Sequence, residues 1–205
     1  RGKGAEDVVI TFNLSAKSPR PDGRGEVGTT GSASTTVNTN DFVASRVTFA
    51  NSTPDNVAQA VAIKTVGDRM VFDRCRFVGF QDTLYPTRGR QYFRDCYVAG
   101  DTDFIFGNAT AAFERCTIHS SDRGYITAAN THPETVHGFV FLDCTLTALP
   151  AVKAGSTYLG RLWQWDRGAR AHVAFVRTRM GEHIAPAGWH PWDAARNTEP
   201  AKTAR

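Results

Sequence analysis

VFDRCRF at 71–77, YFRDCYV at 92–98, AFERCTI at 112–118 and VFLDCTL at 140–146 are one segment written four times. The shared frame is Phe-x-x-Cys-x-apolar. Weaker copies flank it: VASRVTF at 43–49, with Val47 in the cysteine place, and AFVRTRM at 174–180, with Thr178 there. Six rungs of a repeat are visible. The cysteines at 75, 96, 116 and 144 follow one another at 21, 20 and 28 residues, too close for a helical crossover between each pair and right for one coil of a solenoid. Between them stand β-rich runs and Gly, Asn and Asp turns, with no sustained 3.6-residue period. The pattern predicts an all-β chain wound as a right-handed parallel β-helix of about six or more coils.

In such a coil equivalent residues stack about 4.8 Å apart along the axis. Phe72, Phe93, Phe113 and Phe141 should then form an aromatic ladder, joined by Phe175, with apolar residues closing the core two places after each cysteine. The place before each cysteine reads Arg74, Asp95, Arg115, Asp143, so opposite charges alternate up the stack. The four cysteines form no CxxC pair, and stacked inward they serve as small core residues. A thiol ladder is the favoured reading. A Cys96–Cys116 disulfide stays open, because neighbouring rungs bring Cα atoms within bridging reach.

The same register carries chemistry. Asp82 lies seven residues after Cys75, and Asp103 seven residues after Cys96, so the two occupy one place on successive coils. Their carboxyl groups should lie within about 5–6 Å of each other. Two carboxyls so close resist ionising together, which separates them into a base or nucleophile and an acid. Their settings, GFQDTLY at 79–85 and GDTDFIFG at 100–107, embed them among apolar and aromatic side chains, where a polar group is costly to keep. Phe104, next to Asp103, should point the opposite way, into the core.

These two segments, with QAVA at 59–62 before them and LGRLW at 159–163, GEHI at 181–184 and GWHPW at 188–192 after them, resemble the pectinesterase family in the family's order. The resemblance implies a pectin lyase-like solenoid that removes methyl esters from homogalacturonan. Carried over position by position, it implies Asp103 as nucleophile and Asp82 as acid and then base. Gln59 and Gln81 become oxyanion donors, and Arg161 the partner that holds Asp103 ionised. Trp163 becomes a flat wall for a sugar ring, with Phe80, Tyr85 and Phe106 as further lining. The chain departs from the family at Leu162, where proline is common. Relatives also carry coils before the part matching Val8 to Leu14 and a strand after the part matching Arg205. Residues 1–205 are therefore expected to form a single domain, incomplete at both ends.

Composition agrees without deciding. A 41% hydrophobic content allows a sizeable core, no apolar run approaches a membrane span, and a net charge of +4 with a pI near 9.0 suits a polyanionic partner. Arg88-Gly89-Arg90 is read as facing such a sugar or solvent rather than nucleic acid. There is no G-x-S-x-G elbow and no H-E-x-x-H, and neither metal nor cofactor is expected. A calcium-dependent lyase would need an acidic ligand cluster that the sequence lacks. The remaining alternatives are an esterase or thioesterase on a non-pectin acyl group and a non-catalytic carbohydrate-binding solenoid. The family resemblance places the protein outside the cell or in the periplasm, as a monomer acting on pectin.

Overall fold

The computed structural model describes residues 3–163 and 168–192. Arg205, after which a further strand is expected, lies outside them. The described chain winds as a parallel β-helix with three faces. The first face stacks Val9–Phe12, Thr48–Asn51, Arg76–Val78, the start of Tyr97–Gly107, the start of Thr117–Ala129, Thr145–Ala148 and Arg179–Met180. The second stacks Thr35–Asn38, Ile63–Val66, Leu84–Arg88, the later halves of the same two long strands, Thr157–Arg161 and Trp189–His190. The third stacks Val43–Ser45, Met70–Asp73, Arg90–Arg94, Thr110–Glu114, Phe139–Leu142 and Val173–Val176, one strand for each copy of the repeat.

The ladder reading holds. Phe72, Phe93, Phe113, Phe141 and Phe175 stack in register, with centroids 4.9, 4.6, 4.6 and 4.5 Å apart and planes within 10°. Each such contact adds on the order of 1 kcal/mol to the burial of the rings. Phe77, Val98, Ile118 and Leu146 close the core two places after their cysteines. All four cysteines are buried free thiols, so Cys96 and Cys116 are unbridged. Each of the last three thiols donates to the phenylalanine carbonyl of the preceding coil: Cys96 to Phe72 at 3.3 Å, Cys116 to Phe93 at 3.4 Å and Cys144 to Phe113 at 3.3 Å. Thr178 makes the same bond to Phe141, at 3.1 Å, which explains why threonine can take the cysteine place.

The residue before each cysteine turns the corner between faces. Arg46, Arg74, Asp95, Arg115, Asp143 and Arg177 all have φ between 47° and 55°. Such left-handed residues are uncommon outside glycine, and here one per coil reverses the side-chain alternation, so that Phe and Cys both face inward. The expected alternation of charge resolves into pairs. Arg115 binds Asp95 and Arg177 binds Asp143, each through two nitrogens. Arg74 does not join this stack; it turns to Asp73, which Arg94 also holds. Arg90 is likewise engaged, by Asp68 at 2.6 Å.

Candidate active site

Two successive coils have a further left-handed corner, between the first and second faces. Asp82 and Asp103 occupy it, with φ of 65° and 52°. Aspartate is among the few residues that tolerate this backbone. Asp82 N–H donates to Thr102 O at 3.1 Å, the parallel-sheet bond that sets Asp82 opposite Asp103 one rung on. The expected stacking of the pair is therefore present. Gly100 supports the corner from behind, since a Cβ there would lie 2.3 Å from that of Phe104. Phe104 is fully buried in the core, pointing away from its neighbour Asp103 as expected.

Asp82 and Asp103 line a cleft of about 760 Å³ together with Gln59, Gln81, Tyr85, Phe106, Arg161 and Trp163. Eight of the nine residues singled out in the sequence thus meet in one hollow. Phe80 is the exception: it lines a smaller pocket that adjoins the cleft at Gln81, with Thr53, Pro54 and Asp101. On a regular strand Phe80 and Asp82 would share a face, but the left-handed turn at Asp82 breaks that alternation. A larger hollow of about 1340 Å³ runs along the third face, yet no carboxylate lines it.

Arg161 reaches Asp103 from two coils away. Its Nε donates to Oδ1 at 2.9 Å and its Nη2 to Oδ2 at 2.6 Å, a bidentate pair in which Asp103 is 4% and Arg161 18% exposed. Gly160 lets the arginine strand approach closely, because a Cβ there would lie 2.0 Å from Thr127 Oγ1. The two carboxyls are treated unequally. Burial pushes Asp82 well above the usual carboxylate range and the charge of Asp103 adds to it, with Arg161 opposing and Asp101 adding a smaller push. Burial raises Asp103 as well, but there both the hydrogen bonds and the charge of Arg161 pull the other way. Burial opposes the charge on Arg161, but its hydrogen bonds to Asp103 together with the charge of that carboxylate more than offset it, so Arg161 stays charged. The pair's shared proton therefore belongs on Asp82, and the negative charge on Asp103.

Tyr85 and Phe106 stack at 4.2 Å on adjacent coils, and Trp163 stands at a steep angle to both, at 6.4 and 5.7 Å. Together they give the cleft an apolar wall. The sequence reading missed several contributors: the short helix Gly28–Gly31 on the rim, Asn108 and Asn130 in the lining, and Trp192, whose ring lies 4.1 Å from the Arg161 guanidinium carbon. Only Trp192 carried a signal, as the end of the GWHPW motif. Among the described residues no group of three or more His, Cys, Asp or Glu side chains is placed to hold a metal ion, and no helix is long and apolar enough to cross a membrane.

Known proteins resemble this chain in sequence and fold. Pectinesterase 31 of Arabidopsis thaliana is 41% identical over 204 residues, covering 98% of this chain and 62% of its own length. The pectin methylesterase of carrot superposes with a TM-score of 0.83 at 31% identity, covering 99% of this chain and 62% of that one. A pectin methylesterase solved in complex with a hexasaccharide gives a TM-score of 0.81 at 31% identity, over 94% of this chain and 65% of that one. The chain thus spans less than two thirds of the length of each of these relatives. The pectinesterase family model matches residues 1–202, and the chain belongs to the pectinesterase family.

Proposed function

We propose that this protein hydrolyses the methyl esters of a polygalacturonate chain, releasing methanol and leaving carboxylates. The observation that carries the reading is the asymmetry of the stacked pair: Asp103 is held by Arg161 through two hydrogen bonds, while Asp82, one rung away, is buried beside that charge.

The charged Asp103 attacks the C6 carbonyl carbon of a methylated galacturonate. The carbonyl π electrons move to oxygen, where the amide N–H groups of Gln81 and Gln59 donate to the oxyanion without bringing a competing charge. As the tetrahedral species collapses, the C6–OCH3 bond breaks and Asp82 gives its proton to the departing methoxide. Methanol leaves and a mixed anhydride joins Asp103 to the sugar. Asp82, now a carboxylate, takes a proton from water, and the resulting hydroxide opens the anhydride. Asp103 returns charged and Asp82 protonated. Tyr85, Phe106 and Trp163 supply the apolar wall against which a sugar ring lies, a reading supported by the hexasaccharide-bound relative of the same fold. The basic surface favours the acidic polymer, and the protein is read as a secreted monomer on the pattern of its family.

The test uses highly methylated pectin and the wild-type chain. Stoichiometric release of methanol and new carboxylate, with no unsaturated sugar product, is expected. Polymer cleavage giving an unsaturated product, or no methanol, would overturn the reading.

A further inference from the structure

To reach Asp103, the Arg161 side chain must cross the coil between them, a span of ~10 Å at two strand spacings. Directly opposite Arg161 on that coil is Ala128, small enough to leave the way open, by the register that pairs Thr127 with Gly160. Beside that path lies Tyr125, whose ring centroid is 4.1 Å from the guanidinium carbon. Trp192 meets the guanidinium at the same distance. Arg161 thus contacts two aromatic rings while its nitrogens hold both oxygens of Asp103. The rings fix the guanidinium in place, and the carboxylate bonds fix its direction.

The two aromatics differ in one respect that separates their roles. Trp192 lines the cleft, whereas Tyr125 does not. Tyr125 is instead packed behind the site. Its ring stacks on Tyr158 at 5.7 Å and meets His190 at 5.6 Å, with its hydroxyl 3.5 Å from His190 Nδ1. Strand pairing sets it between Thr102 and Tyr158. Leu162, which follows the arginine, is buried in the main core, and the strand carrying Arg161 is paired with Trp189–His190, so the backbone is anchored and the two rings act on the side chain beyond it.

The geometry points to Tyr125 as a positioning residue: its ring is the floor that holds the Arg161 guanidinium at the angle needed to grip Asp103. This rests on the esterase reading for its kinetic consequence, but the restraint on Arg161 is a property of the folded chain alone. Without the floor the arginine samples other rotamers, its pull on Asp103 weakens, and Asp103 becomes harder to ionise.

Two measurements on one set of variants test it. In Tyr125→Leu, kcat for methanol release should fall by ~10- to 100-fold, the loss expected from misplacing a reacting group by about an ångström. KM should change little, and the acidic limb of the rate profile should move to higher pH. Tyr125→Phe keeps the ring and should restore all three. Independently of any activity, exchange of the Arg161 Nε–H with solvent, followed by NMR, should be slow in wild type and Tyr125→Phe and faster in Tyr125→Leu. Unchanged exchange and an unmoved acidic limb in Tyr125→Leu would overturn the assignment. Equal losses in the Phe and Leu variants would also overturn it, since they would mark a hydroxyl or folding effect. A wild type that releases no methanol but shows the exchange pattern would sink the esterase reading and leave the positioning role standing.

Discussion

At the scale of single residues, the environment separates two identical side chains, Asp82 and Asp103. Asp103 must be charged to attack and Asp82 protonated to donate, so activity should be lost below the range where Asp103 ionises and above the range where Asp82 does. Asp101 pushes the Asp82 proton affinity up. Asp101→Asn should therefore bring the alkaline limb of the kcat/KM profile to lower pH, and an unmoved limb would contradict that link. Stability follows from the same shift. A group whose folded pKa is raised stabilises the fold fully below its unfolded value, near 3.8, and loses that contribution as pH rises through the folded value. Asp82→Asn cannot take up the buried charge, and asparagine accepts the left-handed backbone at this position. Its melting temperature should exceed that of the wild type by an amount that grows with pH, with no gain at pH 3; a constant difference across the range would refute the raised pKa. The stacked carboxyl pair itself was legible in the sequence, because seven residues from a cysteine is the same address on two coils. Phe80 lines the adjoining pocket rather than the cleft itself, and the left-handed turn at Asp82 that sets this apart is a backbone dihedral, which a list of residue types does not spell out.

At the scale of the element, the repeating coil is marked by one left-handed corner before the cysteine place and, in the middle coils, by a phenylalanine–cysteine pair facing inward. The ladder was readable because the same contacts recur between identical residues at fixed spacing. The ion pairs at the cysteine corner were readable in sign and misread in partner, since Arg74 has a nearer acid in Asp73 than in the next coil. Truncating the middle of the ladder should be severe: Phe113→Ala, at a fully buried site stacked on both sides, should cost about 3–5 kcal/mol by denaturant unfolding. Phe175→Ala, half-buried at the end of the stack, should cost less. Reversed order would mean that the stack is not the main support. The clamp on Arg161 was not legible, because Tyr125, Arg161 and Trp192 lie on three different turns of the chain and share no spacing with the repeat.

At the scale of the molecule, burial is greatest in the middle coils and falls toward both ends of the described stack. Val9, Ile10 and Phe12 are exposed at one end and Met180 at the other, while the coils carrying Asp82 and Asp103 sit between covered neighbours. In a solenoid each coil is stabilised by the next, so hydrogen exchange should be slowest through Arg90–Arg94 and Thr110–Glu114 and fast in Val9–Phe12 and Arg179–Met180. The site thus rests on the most protected part of the fold, with Arg161 delivered from a later coil to the corner where the aspartates stack. That delivery makes the central claim testable in one variant. Asp103→Asn retains the shape and the left-handed backbone of the corner and removes only the charge that attacks. Methanol release from highly methylated pectin should fall in this variant by at least about three orders of magnitude, with the fold intact by circular dichroism. Release at the wild-type rate from folded Asp103→Asn would contradict the account.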